Sequence, residues 1–403
     1  LEQAFASFER GAPAMERAEF DRYCEENRAW LDDYALFRAL KENLQWQAWE
    51  TWPLELQRRD PNALDAARRD LAAPIRKHRF WQYLAEREWR EVRAYAKSRG
   101  LLLGGDLAFS PSRESAEVWA NQDYFDLTRT VGAPPDDFNP DGQRWGLPMP
   151  NWERMRASDC AFWRARARRA RSLYDIVRID HVVGMYRTFS FAAQDDRGSF
   201  TPADEPHQLE QGEHVMRAIL DEAAPAEVIA EDLGTVPPAV RESLTRLAVA
   251  GYKVVRWEKI DWGTPRERFP SPSEYPELSV ATTGTHDTET LTRWWRERTD
   301  GERRQFAAAL GLGGRVAPDG PLTRRASLEV LEAVYAAPSR LAVTPVQDLF
   351  AWSARINLPG TVLKSNWTWR LPFALERWRN SAALRARVAD LRRIAERTGR
   401  FGS

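Results

Sequence analysis

Three short apolar runs in this chain end abruptly in charged side chains, and that recurrence limits what the chain can fold into. In Tyr174-Asp175-Ile176-Val177-Arg178-Ile179-Asp180-His181 the β-branched Ile176, Val177 and Ile179 leave no room for a helical period. The run reads as a buried strand. It closes on Arg178, Asp180 and His181, groups that are costly to bury without partners. The same design returns in Ala226–Gly234, which ends in Glu231 and Asp232, and in Ser279–Asp287, which ends in His286 and Asp287. Leu101–Asp106, Tyr252–Trp257 and Leu341–Asp348 read as further strands, with Asp106 at the C-terminal end of the first.

Strands separated by helices, with polar groups gathered at strand C-termini, are the pattern of a parallel sheet covered on both faces. In a β/α barrel such groups point into the mouth while the strand bodies pack the wall. The expected fold class is therefore α/β, a (β/α)8 TIM barrel with helical insertion subdomains. About six strands are visible where a closed barrel needs about eight, and all lie after residue 100. The natural protein is accordingly expected to extend before Leu1.

Residues 1–99 read as helix, with Phe20, Tyr23, Trp30, Tyr34, Phe37 and Leu40 forming an amphipathic stripe and Gly100 closing the last helix. This gives a helical insertion subdomain over 1–100, without chemistry of its own, and a catalytic barrel over 101–403. Long substrate loops are expected at about 107–152 and 186–213, where Gly, Pro and Asp mark turns. Helices are expected at 153–173, 214–223, after Thr235 as a cap, and over 373–399.

Composition narrows the function. Lys+Arg and Asp+Glu are both 59, so there is no basic excess for nucleic acid or an acidic membrane surface. Two cysteines in unrelated contexts make neither a disulfide framework nor a thiolate metal site. No apolar run approaches a membrane span and the first residues lack the pattern of a signal peptide, so a cytoplasmic location is the expectation. The motifs for nucleotide cradling, catalytic zinc and serine hydrolysis are not found. The 18 Trp suit both core packing and stacking on sugar rings.

Asp180, Glu231 and Asp287 at the ends of three strands supply the two carboxylates that glycoside cleavage requires, one to attack the anomeric carbon and one to move the proton. Arg178, on the same strand face as Asp180, can keep it ionised. Glu231, beside apolar Ile229, suits the acid role. His286 and Asp287 can grip sugar hydroxyls. Each motif singly also has a structural reading: Arg-Asp as a strand-end ion pair, Glu-Asp as a helix cap, His-Asp as a local hydrogen bond.

Taken in order, several blocks resemble the 4-α-glucanotransferases (amylomaltase or disproportionating enzyme) of glycoside hydrolase family 77. They are GGDLAFSPSRESAEVWAN (104–121), VGAPPDDFNPDGQRWGLPMPNW (131–152), VRIDH (177–181), AEDLG (230–234), GTHD (284–287) and the run from QD (347–348) through PGT (359–361) to NWTWRLP (366–372). The resemblance implies retaining double displacement, with Asp180 as nucleophile, Glu231 as general acid/base and Asp287 as transition-state stabiliser. Arg178, His286, Asp106, Trp145, Asn357 and His181 fall on substrate-binding positions. It implies α-1,4-glucans and maltooligosaccharides as substrates, no cofactor and no metal.

The chain departs from the family pattern at Val182 and Val183 after the Asp-His pair, at Thr288-Glu289 after GTHD, and at Arg256-Trp257-Glu258 after the Lys253 strand. These changes bear on acceptor preference and product length. The competing expectations are an α-glucan hydrolase of the same chemistry and a catalytically silent glucan-binding relative.

Overall fold

A computed structural model describes residues 1–135, 142–192, 197–261 and 263–400. Asp136, Asp137, Phe138 and Asp141 of the 131–152 motif lie outside the described residues, as do 193–196 of the 186–213 segment. The chain divides into two compact units, Leu1–Val228 and Ile229–Ser403.

The first unit opens with helices Glu2–Gly11, Ala14–Glu26, Arg28–Asn43, Pro61–Asp70 and Ala72–Ser98. Phe8, Phe20, Tyr23, Leu31, Phe80 and Tyr83, from all of these but Pro61–Asp70, form a shared core. Phe8 and Phe80 approach to 4.5 Å between ring centres with their planes tilted by 35°, a ring contact that adds to the area the rings bury. The last of these helices closes as expected at Gly100. Its φ of 72° lets the Gly100 and Leu101 N–H groups reach the carbonyls of Lys97 and Ala96, both at 3.0 Å, the paired bonds of a glycine-terminated helix. The chain then enters strand β1 at Gly104–Leu107, so Leu101 and Leu102 are exposed lead-in rather than strand.

The segment expected to be an irregular loop carries β2 (Phe125–Ala133) and β3 (Gln143–Pro150). Pro148 and Pro150 argue against a strand in sequence. They are accommodated because β3 is an edge of its sheet, where a missing N–H need not break a ladder. After helices Trp152–Ala157 and Ala161–Leu173 comes β4 (Ile176–Ile179), parallel to β1 with Asp106 opposite Arg178. The second expected loop likewise contains structure: β5 (Thr188–Ala192), β6 (Ser199–Thr201) and helix Glu205–Ala223. That helix starts earlier than its apolar pattern suggests, because the Asp204 carboxylate accepts the His207 N–H and Pro206 occupies the first turn. The antiparallel sheet runs β3-β2-β5-β6.

Strand β7 (Glu227–Ala230) holds the boundary between the units. In the second unit its last residues pair in parallel with β8 (Ala250–Val254), which pairs with β9 (Ser279–Thr282), which pairs with β10 (Leu341–Val343). All four strands are shorter than expected, and the charged groups sit in the turns just beyond them. The helix expected to follow a Thr235 cap starts later, at Pro238–Arg246, with Pro237 in the cap position. The core gathers Phe269, Trp294, Trp295, Phe306 and Val330. The last helix, Ala382–Arg397, docks through the buried Arg387. This guanidinium donates to the Leu349 carbonyl (2.6 Å), the Arg324 carbonyl (2.8 Å) and the Ser327 hydroxyl (2.9 Å). No helix among the described residues is long and apolar enough to cross a membrane.

Gly212 gives a test in which two effects oppose each other. Alanine inside a helix is favoured over glycine by about 1 kcal/mol. A Cβ at Gly212 would however lie 2.0 Å from the ring of Tyr186, which is fully buried and cannot turn away. Overpacking of this kind costs about 1–3 kcal/mol. Gly212→Ala is therefore expected to lower stability, read as a fall in the denaturant midpoint; a rise would show that the Tyr186 contact yields.

Candidate active site

In the first unit the register of β1 and β4 sets Asp106 opposite Arg178. Arg178 Nη1 donates to Asp106 Oδ1 and to Asp180 Oδ1, each at 2.9 Å. The arginine is largely buried, while the two carboxylates stay about half exposed. One cation thus orients two acids, and charge-assisted bonds of this length are the strong kind. The next residue, His181, has a φ of 44°, a region side-chain-bearing residues rarely adopt. Its ring meets Trp145 edge-on at 4.8 Å and Phe109 at 5.5 Å. Gly184 makes room for this stack, since a Cβ there would fall 2.6 Å from Phe109 and 2.8 Å from His181. Trp145, on β3, is steadied by its indole N–H to Gln143 Oε1 at 3.2 Å. Burial pushes His181 down from 6.5 to about 4, against a small opposing pull from Asp180. The imidazole is neutral at pH 7 and can donate from one nitrogen and accept at the other. Five of the expected residues, Asp106, Trp145, Arg178, Asp180 and His181, are thus brought together.

In the second unit the turn after β7 separates two acids that look alike in sequence. Asp232 is buried, accepts the Tyr252 N–H at 2.6 Å and pairs with Arg241 at 3.3 Å. Gly251 admits it, because a Cβ there would meet its carboxylate at 2.7 Å. Burial raises Asp232 above the usual carboxylate range, and Arg241 draws it back. Asp232 is a structural staple. Glu231 remains partly exposed, with Oε1 accepting the Leu233 N–H at 3.1 Å.

The turn after β9 carries His286 and Asp287. Asp287 Oδ1 accepts from Asn357 Nδ2 at 2.6 Å, Oδ2 lies 3.3 Å from His286 Nε2, and its backbone carbonyl accepts from Arg355. The three expected residues of this unit's cluster, His286, Asp287 and Asn357, are therefore in contact. Two residues that depart from the family pattern, Arg256 and Thr288, meet beneath them. The buried Arg256 donates to Thr288 Oγ1 at 2.7 Å and to the Glu289 carbonyl, and Thr288 Oγ1 accepts the Thr285 N–H at 3.0 Å. Asp348 accepts from Thr283 Oγ1 at 2.6 Å and from the Leu291 N–H at 2.7 Å. Arg256, Arg355 and Asp348 hold the turn from below, a role that the sequence alone does not assign to them. The sequence signals are the polar QD pair after β10 for Asp348 and the unusual arginine after β8 for Arg256; Arg355 carries none.

The family model described as 4-alpha-glucanotransferase matches residues 1–376. The chain belongs to the 4-alpha-glucanotransferase family. It is 33% identical over 389 residues to a 4-alpha-glucanotransferase of Chlamydia muridarum, covering 93% of this chain and 71% of the relative. It is 35% identical over 386 residues to that of Thermus thermophilus, covering 92% of this chain and 74% of the relative. The solved amylomaltase from Streptococcus agalactiae in complex with acarbose superposes with a TM-score of 0.84 at 28% identity, over 100% of this chain and 78% of that one. The α/β fold class with its helical insertions and parallel strands is the amylomaltase fold, of the TIM-barrel type, and the activity class is glucan transfer.

Two stability tests follow from the buried groups. Between pH 6.5 and 4 the unfolded state protonates His181 while the native state does not. Native stability therefore falls on acidification across that window, by about 3 kcal/mol in total. His181→Gln should flatten this part of the pH profile of the unfolding midpoint; an unchanged slope would refute the neutral imidazole in the native state. Asp348 is pushed upward by burial and drawn down chiefly by Arg256. Arg256→Met removes that opposing charge and is expected to destabilise the protein by about 3–5 kcal/mol at neutral pH. The sign is that of a raised carboxyl: the penalty grows as pH climbs above the ordinary carboxylate range and shrinks below it. Equal loss at low and neutral pH would show that Asp348 is not the cause.

Proposed function

We propose that this 4-alpha-glucanotransferase family member transfers α-1,4-glucan segments between maltooligosaccharides by retaining double displacement, with Asp180, Glu231 and Asp287 as its catalytic carboxylates. The observation that carries the reading is Asp180 at the end of β4, one oxygen held by Arg178 at 2.9 Å and its carboxylate still open to solvent. A nucleophile needs that combination of fixed aim and access.

In the first step an Asp180 oxygen attacks the anomeric carbon, the glycosidic C–O bond breaks, and Glu231 gives its proton to the departing glucan oxygen. In the second, Glu231 takes the proton of an incoming glucan hydroxyl, whose oxygen displaces Asp180 from the anomeric carbon. Two inversions return the original configuration, and both protons and electron pairs are supplied within the set, so the steps call for no cofactor or metal. Asp287, held by Asn357 and paired with His286, suits an interaction with sugar hydroxyls that strengthens as the ring gains positive charge. The Streptococcus agalactiae amylomaltase is in complex with acarbose, which supports an α-glucan site in this chain.

The test is incubation with maltotriose. Glucose together with a ladder of longer oligosaccharides is expected from transfer; maltose and glucose alone would instead identify a hydrolase. Asp180→Ala should lower the rate by at least about 10⁴-fold and Glu231→Ala by about 10²–10⁴-fold, with unchanged circular dichroism. Near-normal transfer in either variant would sink the assignment.

A further inference from the structure

We infer that Trp367 is a stacking platform for a glucose ring of the bound α-glucan, set beside the His286–Asp287 turn; this rests on the reading of that turn as part of the glucan site. Two features of Trp367 are unfavourable to the free protein and occur together. Its side chain is 64% exposed, and its backbone has a φ of 60°. A bulky aromatic residue in that left-handed region is an outlier, and such strain persists only where the surroundings over-determine it.

The surroundings do so here. The Trp367 N–H donates to the Ile356 carbonyl at 3.0 Å. Ile356 directly precedes Asn357, whose amide holds Asp287. The residue before the tryptophan, Asn366, folds the preceding loop around its own side chain. Its Oδ1 accepts the Leu358 N–H at 3.2 Å, while its Nδ2 donates to the Thr361 carbonyl at 3.0 Å and the Thr361 hydroxyl at 3.1 Å. The loop is therefore preset, and it delivers the indole 5.0 Å from the His286 ring at an angle of 45°. Trp369, two residues on, takes the ordinary structural role, packing at 6.1 Å from Trp352 within a cluster of aromatic rings. Trp367 joins no such cluster among the described residues.

A solvent-facing indole with a fixed tilt, next to groups that bind hydroxyls, matches the chemistry of a pyranose. Such a ring has an apolar C–H face for the indole and an equatorial rim of hydroxyls for His286 and Asp287. Ligand pockets combine apolar walls with a few placed polar groups in this way, and a strained residue held beside such groups is the kind of outlier from which a functional role is inferred.

The experiment is calorimetric titration of maltoheptaose into the Asp180→Asn protein, where turnover is suppressed, with and without changes at Trp367. Trp367→Ala is expected to weaken binding by about tenfold and Trp367→Phe by no more than about threefold. Trp367→Gly, which relieves the left-handed backbone, is expected to weaken binding similarly while holding or raising the thermal midpoint. That separation is one a merely structural tryptophan would not give. Binding within about twofold of the parent for Trp367→Ala, in a protein of unchanged circular dichroism, would overturn the proposal. Transfer at the parental rate by Asp180→Asn would instead overturn the reading on which it rests.

Discussion

Much of the first unit's chemistry depends on a single strand register. Arg178, which holds Asp180 two residues on along β4, reaches Asp106 from the same nitrogen because β1 and β4 run parallel with Asp106 opposite Arg178. Side chains alternate faces along a strand, so a slip by one residue would turn the arginine from Asp106, while Asp180, two residues on along the same strand, would stay beside it. The register is in turn held by apolar neighbours. Val177 and Ile179 are fully buried on β4, and Leu107 is buried on β1. Burying those residues in the only register that also pairs the charges makes packing and site geometry one requirement.

The second unit meets the same need by another route. Asp287 lies in a turn several residues beyond β9, so strand pairing alone cannot aim it. It is held instead by tethers that converge from separate segments: Asn357 on its carboxylate, Arg355 on its carbonyl, and Arg256 through Thr288 beneath. Two of these use a guanidinium, and Arg256 is almost fully buried. An isolated buried charge is expensive, and the arrangement is tolerable because Arg256 and Asp348 offset each other while their hydrogen bonds go to the turn they support. Charged residues in this unit therefore act as scaffold. Asp232 and Glu231 differ although they are neighbours: Asp232 is buried and held by structural bonds, and Glu231 is partly exposed.

The parts legible in the sequence are those governed by local physics. An apolar β-branched run that stops at Arg178 and Asp180 signals a strand end by composition, as do the runs before Glu231 and His286. The helical front and the glycine stop at Gly100 follow from periodicity and backbone freedom. The antiparallel sheet is not legible. Its strand β3 contains Pro148 and Pro150, and only knowledge that it lies at an edge makes them acceptable. β5 is hidden for a different reason: Thr188 and Ser190 are as buried as Phe189 and Phe191, so their polarity suggests a loop. The tethers of Asp287 are invisible because each joins residues far apart in the chain, such as Arg256 with Thr288 and Asn357 with Asp287. A departure from the family pattern at Arg256 and another at Thr288 read separately as oddities; in the structure they are partners in one hydrogen bond.

Backbone strain ties these observations together. His181 and Trp367 both hold positive φ angles that a side chain disfavours, and each stands next to one of the groups assigned to chemistry. In each case the strain is compensated nearby: His181 is enclosed by Trp145 and Phe109, and Trp367 is pinned to the segment of Asn357 by a backbone bond and by the loop that Asn366 closes. Relaxing either residue would favour the isolated fold but release the side chain from its fixed direction. Stability and aim are therefore in opposition at these two positions, and the surrounding packing is what allows aim to prevail.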